Sequence, residues 1–297
     1  MFFLMSSDNS SLPEFAFDDG DVPGQCAQDT ERTKILQQAI GAAIKDHPNC
    51  VVLDCGTGAG LLALFAVRAG ASHVVAVEGN KYLANWAKIN AERNGYGDKV
   101  TVIYGDAGLF EWPQGIGLPD IIMGELLTTW CVSEHQVQVM NNLHARGIAK
   151  EDTLFLPCAQ EGYLSLTYTD YTVEGIELLM PQHNWNWYPE SCPLEVVELT
   201  DRVLVNSIQF DVLNKEEFSQ EIKVTAHKDG VVNSVYLTSR TLLYQNITVG
   251  DTMALNAPIA FPLEEKFMVK AGDSLMVTVQ YIFGAGYGNF KIKISRI

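Results

Sequence analysis

Paired cysteines, clustered histidines, basic residues and long apolar runs are all scarce in this chain of 297 residues. The six cysteines (26, 50, 55, 131, 158 and 192) include no C-x-x-C pair, and several stand in apolar strand contexts. They read as reduced, buried thiols, which excludes a disulfide framework. The six histidines are scattered without metal-ligand spacing, so no metal is expected. The opening MFFLM offers five apolar residues with no basic lead-in and runs straight into SSDNSS. It does not read as a signal peptide, no later run is long enough to span a membrane, and the expected location is the cytoplasm. Basic residues number 20 against 36 acidic ones, a net charge of −16. Such a field repels nucleic acid and anionic membranes and favours cationic ligands, or serves only to keep the protein soluble. No internal repeat is present.

What is there centres on VVLDCGTGAGLLALFAVRAG, residues 51–70, followed by an apolar run that ends HVVAVEG at Gly79. A buried strand leads through Asp54 into Gly56, Gly58 and Gly60, and then into apolar residues at helical spacing, which predicts strand, tight turn and helix start. Glycines let a backbone turn sharply and approach a ligand, while a helix N-terminus presents unpaired N–H groups. A dinucleotide fingerprint would need G-x-G-x-x-G, but Leu61 stands where its third glycine belongs. No Lys-Ser or Lys-Thr pair follows, which excludes a phosphate loop. Two acids remain: Asp54 before the glycines and Glu78 at the end of the next strand, 24 positions on. That places both at the carboxyl edge of adjacent parallel strands, where open α/β sheets bind ligands and where a carboxylate can take both hydroxyls of a ribose. The bland alternative is a structural turn with an incidental glutamate.

Along the chain, residues 6–24 are rich in Ser, Asp, Gly and Pro, with Phe15 and Phe17 as the large anchors: a mobile tail or a lid. DTERTKILQQAIGAAI, from Asp29, has helical spacing and acids in its first turn; Arg32 there either pairs with a neighbouring acid or holds a carboxylate. After Glu78, a helix stopped by Gly95, a strand from Val100, a strand ending at Glu125, a helix ending at Gly147 and a strand ending near Pro157 alternate. Alternation of this kind predicts a Rossmann-like doubly wound parallel sheet. Beyond it, period-2 runs take over (Ile208, Phe210, Val212; Leu275, Val277, Val279, Tyr281; Ile292, Ile294), predicting an antiparallel β-sandwich or barrel. The expected division is an N-terminal segment or lid over 1–28, a ligand-binding domain over 29–158 and a β domain over 159–297. PQHNWNWYPESCP, from Pro181, reads either as part of a projecting arm over 171–195 that docks on a partner or as a loop packed on its own barrel. GAGYGN, from Gly284, reads as a hairpin turn.

The order of the acids carries a resemblance. Asp54 before the glycines, Glu78 ending the second strand and Asp106-Ala107 ending the third resemble the S-adenosyl-L-methionine site of class I methyltransferases. Glu125 and Glu134, nine residues apart in GELLTTWCVSE, resemble the double-glutamate loop of the protein arginine methyltransferases. DTERT resembles that family's helix, and LFLP its junction between cofactor domain and barrel. The resemblance implies that Arg32 holds the cofactor's methionine carboxylate, that Gly56, Gly58, Gly60, Glu78, Gly79, Asp106 and Ala107 with Asp54 form the cofactor site, and that Glu125 and Glu134 are catalytic. It also implies a homodimer. The chemistry suits such a pair: guanidinium is planar, always protonated and offers five donors in a fixed fork, so two carboxylates can hold it in plane and draw its charge away from the attacking nitrogen.

Several family features are absent. EFAFDD offers Phe15 and Phe17 where the family has tyrosines, Ala254-Leu255-Asn256-Ala257 replaces its Thr-His-Trp loop, and Cys26 and Gln136 replace two methionines. Three expectations therefore stand together: a methylase of free arginine or another small guanidino compound, a protein arginine methyltransferase with an altered groove, and a catalytically silent partner subunit. A class I methyltransferase acting on another cationic amine is a further alternative.

Overall fold

The computed structural model describes residues 21–184 and 194–297, with side chains from residue 23 onward. Its first element, α1 (Asp21–Gln28), falls within the stretch expected to be a tail or lid. Pro23 and Gly24 read as breakers in sequence, yet proline costs little in a first helical turn, where its missing N–H has no intrahelical partner. The remaining part of that expectation, with Phe15 and Phe17, lies outside the described residues.

Helix α2 (Thr30–Asp46) starts at the Asp29 cap, whose carboxylate accepts from the Arg32 N–H, and buries Leu36, Ala39, Ile40, Ala43 and Ile44 along one stripe. The elements then alternate: β1 (Val51–Cys55), α3 (Leu61–Ala69), β2 (His73–Glu78), α4 (Lys81–Arg93), β3 (Val100–Tyr104), β4 (Ile121–Gly124), α5 (Gln136–Ala145) and β5 (Leu154–Leu156). The five strands form one parallel sheet in the order β3-β2-β1-β4-β5. Near-continuous apolar runs such as Val74–Val77 and Ile121–Met123 are fully buried, as a sheet covered on both faces requires. The chain steps outward from β1 to β3 and then returns to β1's other side with β4, which makes the β1/β4 edge the switch point where ligands of such sheets bind. Register fixes what stands there. Cys55 is level with Val77 and Gly124, so Gly56, Glu78 and Glu125 each lie one residue further, on one rim.

After the Leu156–Pro157 bond, which is cis, the structure becomes antiparallel. Its strands are β6 (Ala159–Thr169), β7 (Thr172–Val173), β8 (Ile176–Glu177), β9 (Gln182–His183), β10 (Val196–Glu198), β11 (Val203–Gln209), β12 (Glu217–Thr225), β13 (Gly230–Tyr244), β14 (Ile247–Val249), β15 (Ile259–Val269), β16 (Ser274–Ile282) and β17 (Lys291–Arg296). A seven-stranded sheet runs β10-β6-β13-β15-β9, with β11 on β6 and β14 on β13; a three-stranded sheet runs β12-β16-β17. The two meet through aromatic packing, with Phe261 of β15 5.2 Å from Phe290, which in turn lies 5.1 Å from Tyr281 of β16. The predicted alternation holds on β16, where Leu275, Val277, Val279 and Tyr281 are all buried. It does not hold past β11: the strand ends at Gln209, Phe210 is buried in a turn and Val212 is exposed. The hairpin of β7 and β8 exposes Val173, Ile176, Leu178, Leu179 and Met180. Of the aromatic segment beyond it, residues 185–193 lie outside the described residues.

Candidate active site

The glycine turn is tied to the neighbouring strand, because Gly56 N–H and Thr57 N–H both donate to the Val77 carbonyl, at 2.9 and 3.0 Å. Gly56, Gly58 and Gly60 all have φ in the left-handed region, at 69°, 57° and 91°. A side chain at Gly56 would collide with Leu126, and one at Gly60 would sit 3.3 Å from the Ala87 backbone of α4. Both positions therefore need glycine for space as well as for conformation. Gly79, by contrast, is not left-handed and has room for a Cβ.

Asp54 is wholly buried and accepts from the Thr57 hydroxyl at 2.6 Å; burial pushes its carboxyl up to about 6. It organises the turn from beneath, while Glu78 spans the turn's rim. One Glu78 oxygen accepts from Gly58 N–H and the other from Asn80 N–H, each at 2.8 Å. Asp106, two residues past β3, accepts from Gly108 N–H at 2.7 Å, and Ala107 beside it is buried. The structure thus brings the three strand ends together on one edge, with Arg32 arriving from α2.

Arg32 is 7% exposed. Its Nη1 donates to the Cys26 carbonyl at 3.1 Å and its Nε to Glu125 Oε2 at 2.8 Å, while Nη2 contacts the same oxygen. Burial alone would favour the neutral forms of both partners. The Glu125 charge and hydrogen bond keep the guanidinium protonated, whereas the Glu125 carboxyl stays above the usual range despite Arg32. Glu134, at the other end of the loop, makes no ion pair among the described residues: burial first, and the Glu125 charge second, push it up to about 8 against the opposing Arg32 charge. Cys26 lies beside the pair, its thiol raised to about 11 by burial and then by Glu125, so it is a neutral wall.

The excursion from Glu125 to Glu134 is pinned at its middle. Trp130 takes left-handed backbone (φ 62°) and is fully buried. Its N–H donates to Ser239 Oγ, its indole N–H to the Thr238 carbonyl, both at 2.9 Å, and its carbonyl accepts from the Tyr281 hydroxyl at 3.0 Å. Gln136 closes the loop's neck, accepting from Leu126 N–H and donating to the Gly124 carbonyl, both at 3.0 Å. Where a Thr-His-Trp loop was missing, Asp29 holds the replacement through Thr252 Oγ1 at 2.5 Å and Ala254 N–H at 2.8 Å. Asn256 turns inward, accepting from Gln160 Nε2 at 3.1 Å and donating to the Gly250 carbonyl at 3.0 Å. Asp29 was read only as a helix-start acid and Asn256 only as part of a replaced loop, while Trp130 and Gln160 escaped the sequence reading; the lone tryptophan inside the nine-residue excursion was the available signal. Among the described residues no cluster of His, Cys, Asp and Glu could hold a metal, and no helix is long and apolar enough to cross a membrane.

Residues 29–148 match the family model for ribosomal protein L11 methyltransferase (PrmA). An uncharacterized protein of Methanocaldococcus jannaschii is 29% identical over 90% of this chain and 94% of its own length. Histone-arginine methyltransferase CARMER of Culex quinquefasciatus is 32% identical over 62% of this chain, and protein arginine N-methyltransferase 7 of Drosophila grimshawi is 33% identical over 47%. The chain spans only 29% and 20% of the lengths of those two relatives. A chain of the Trypanosoma brucei PRMT1 enzyme-prozyme heterotetrameric complex with AdoHcy shares the fold, with a TM-score of 0.73 at 16% identity over 93% of this chain and 97% of that one. Parallel sheet, glycine turn, the matched family model and these relatives together support a protein arginine methyltransferase-like class I methyltransferase.

Proposed function

We propose that the protein transfers a methyl group from S-adenosyl-L-methionine to a guanidino nitrogen of arginine, free or within a peptide, held between Glu125 and Glu134. The observation that carries this reading is the pair of buried glutamates at the two ends of one pinned loop, on the same rim as Arg32, Glu78 and Asp106.

The residues present fit the cofactor. The turn leaves no space for side chains at Gly56 and Gly60, Glu78 offers a carboxylate to ribose hydroxyls, Asp106 with Ala107 offers an acceptor and a backbone edge to adenine, and Arg32, already held by Glu125 and the Cys26 carbonyl, has one N–H left on each terminal nitrogen for a carboxylate. When bound, the cofactor supplies an electrophilic methyl on a sulfonium. Glu125 and Glu134 then act as acceptors for two edges of the guanidinium, drawing positive charge toward the nitrogens they touch and leaving density on the third. Burial of both carboxylates strengthens this, because charge interactions weaken in water. Positioning and electrostatics supply the acceleration, and no covalent intermediate is involved.

The relatives named as arginine methyltransferases support the substrate class. The exposed apolar hairpin of β7 and β8, together with the heterotetrameric assembly of the structural neighbour, supports oligomerisation, which we read as a homodimer. A second reading, a silent partner subunit, draws on the inward-turned Asn256 in place of a Thr-His-Trp loop. One experiment separates these: labelled S-adenosylmethionine incubated with the protein and either free arginine or an arginine-rich peptide. Methyl-guanidino product from one acceptor identifies the substrate class. Absence of cofactor binding by calorimetry, with both acceptors present, rejects the enzyme.

A further inference from the structure

The turn at residues 284–289 lies against the double-glutamate loop. Gly284 N–H donates to the Cys131 carbonyl at 2.9 Å, Gly286 N–H to the Val132 carbonyl at 2.8 Å, and Gln138 Nε2 of α5 to the Phe283 carbonyl at 2.6 Å. These ties flank Glu134 on both sides and bring the turn carrying Tyr287 against the stretch of Ser133 and Glu134, whose groups act electrostatically on its hydroxyl. Its ring stands edge-on to His183 of β9 at 5.7 Å.

Two complementary groups meet there without having paired. The Tyr287 hydroxyl is buried and forms no hydrogen bond among the described residues. Burial and the nearby Glu134 charge hold it protonated, with the Ser133 hydroxyl close enough to oppose that shift but not placed to close a bond. No hydrogen bond among the described residues holds the Glu134 carboxylate either: burial and Glu125 act against its charge, and Arg32 partly for it. The other titratable groups facing it are the thiols of Cys26 and Cys131, both kept neutral by burial. A thiol is a weak donor and a phenol a good one.

Resting on the reading that Glu134 is one arm of the acceptor clamp, we propose that Tyr287 is its positioning residue, donating its phenol proton in a hydrogen bond to Glu134 when that carboxylate carries its charge. A donor to the charged form favours that form, so Tyr287 lowers the pH at which Glu134 becomes able to hold a cation. A place in sequence 153 residues from Glu134 gives no hint of this; only the docking of the turn does.

The test is Tyr287→Phe in the full chain, which keeps the ring, its contact with His183 and every backbone tie. Carboxyl-labelled glutamate followed by NMR, with the Glu134 signal identified by its loss in Glu134→Gln, should show the titration midpoint about one pH unit higher in the variant. In parallel, acceptor KM at neutral pH should rise about tenfold, with cofactor affinity within twofold of wild type and the rate–pH profile displaced to the alkaline side. A Glu134 midpoint that does not move overturns the role of Tyr287, even in an active enzyme. A wild-type protein that methylates no guanidino acceptor rejects the proposed function instead, and the NMR midpoint still decides the Tyr287–Glu134 contact by itself.

Discussion

Glu134 is the residue whose replacement should separate stability from activity. Its carboxyl sits at about 8 in the folded protein against an ordinary 4.5, because burial and the Glu125 charge disfavour ionisation. Between those two values the unfolded chain releases a proton that the folded chain keeps, so folded stability from this group is complete below 4.5, falls as pH rises and levels off above 8. At pH 7 the gap from the ordinary value is about 2.5 decades, each worth roughly 1.4 kcal/mol, or roughly 3–4 kcal/mol in all. The side chain keeps some solvent access, and screening trims this to roughly 2–3 kcal/mol. Glu134→Gln has the same shape and no charge to lose. It should therefore melt higher than wild type, with no difference near pH 4.5 and a gap of roughly 5 °C or more at pH 8. The assay is thermal unfolding across pH 4.5 to 8.5 for both proteins, beside methyl transfer at pH 8, where the variant should be nearly inactive with cofactor binding intact. Parallel melting curves would refute the electrostatic account of this site. Normal turnover would show that the glutamate is structural.

Other consequences can be measured on the same preparations. Arg32→Met leaves Glu125 buried without its cation and should cost about 3–5 kcal/mol in denaturant unfolding, with cofactor binding lost in calorimetry; Arg32→Lys should rescue little, because Nε and Nη2 act as a fork. Gln136→Ala frees Leu126 N–H and the Gly124 carbonyl, and should cost about 1–3 kcal/mol while lowering kcat more than it weakens the cofactor. Gly56→Ala combines strained backbone with a clash on Leu126 and should weaken S-adenosylmethionine binding by more than tenfold, whereas Gly79→Ala, with open space, should leave it within threefold. Glu125→Gln should also stop turnover, but unlike Glu134→Gln it should destabilise the fold, since Arg32 then stays buried without a counter-charge.

The parallel half of the fold was legible because each of its elements announces itself locally. Val51–Cys55 and His73–Glu78 are buried runs, α2 and α4 carry helical spacing, and glycines mark the turns. Strand ends could be placed within a residue or two, so the rim acids came out in the right order. Helix α1 was not legible, since Pro23 and Gly24 are breakers everywhere except near a helix start. Nor was the strand end at Gln209: Phe210 continues the alternating pattern but buries itself in a turn instead. Contacts that cross more than a hundred positions leave no period to read, and the hold of Ser239 and Thr238 on Trp130 and that of Thr252 on Asp29 are of this kind.

The glutamates, equivalent by spacing, are not equivalent by environment. Glu125 shares one oxygen with two nitrogens of Arg32 and so has its charge compensated from within the protein, while Glu134 is compensated by a proton below about 8. The pair together with Arg32 is therefore close to neutral at rest, in a chain of net charge −16. An acidic surface draws cations from a distance, but a neutral pocket does not hold them indiscriminately. A guanidinium bound as proposed would have to supply the charge that makes Glu134 release its proton. Only a cation with donors aimed at both carboxylates gains enough from the exchange, since two charge-assisted bonds together must exceed the cost of ionising a buried acid. Under the proposed clamp, neutralising each glutamate differently would select a planar, two-edged cation over an ordinary ammonium.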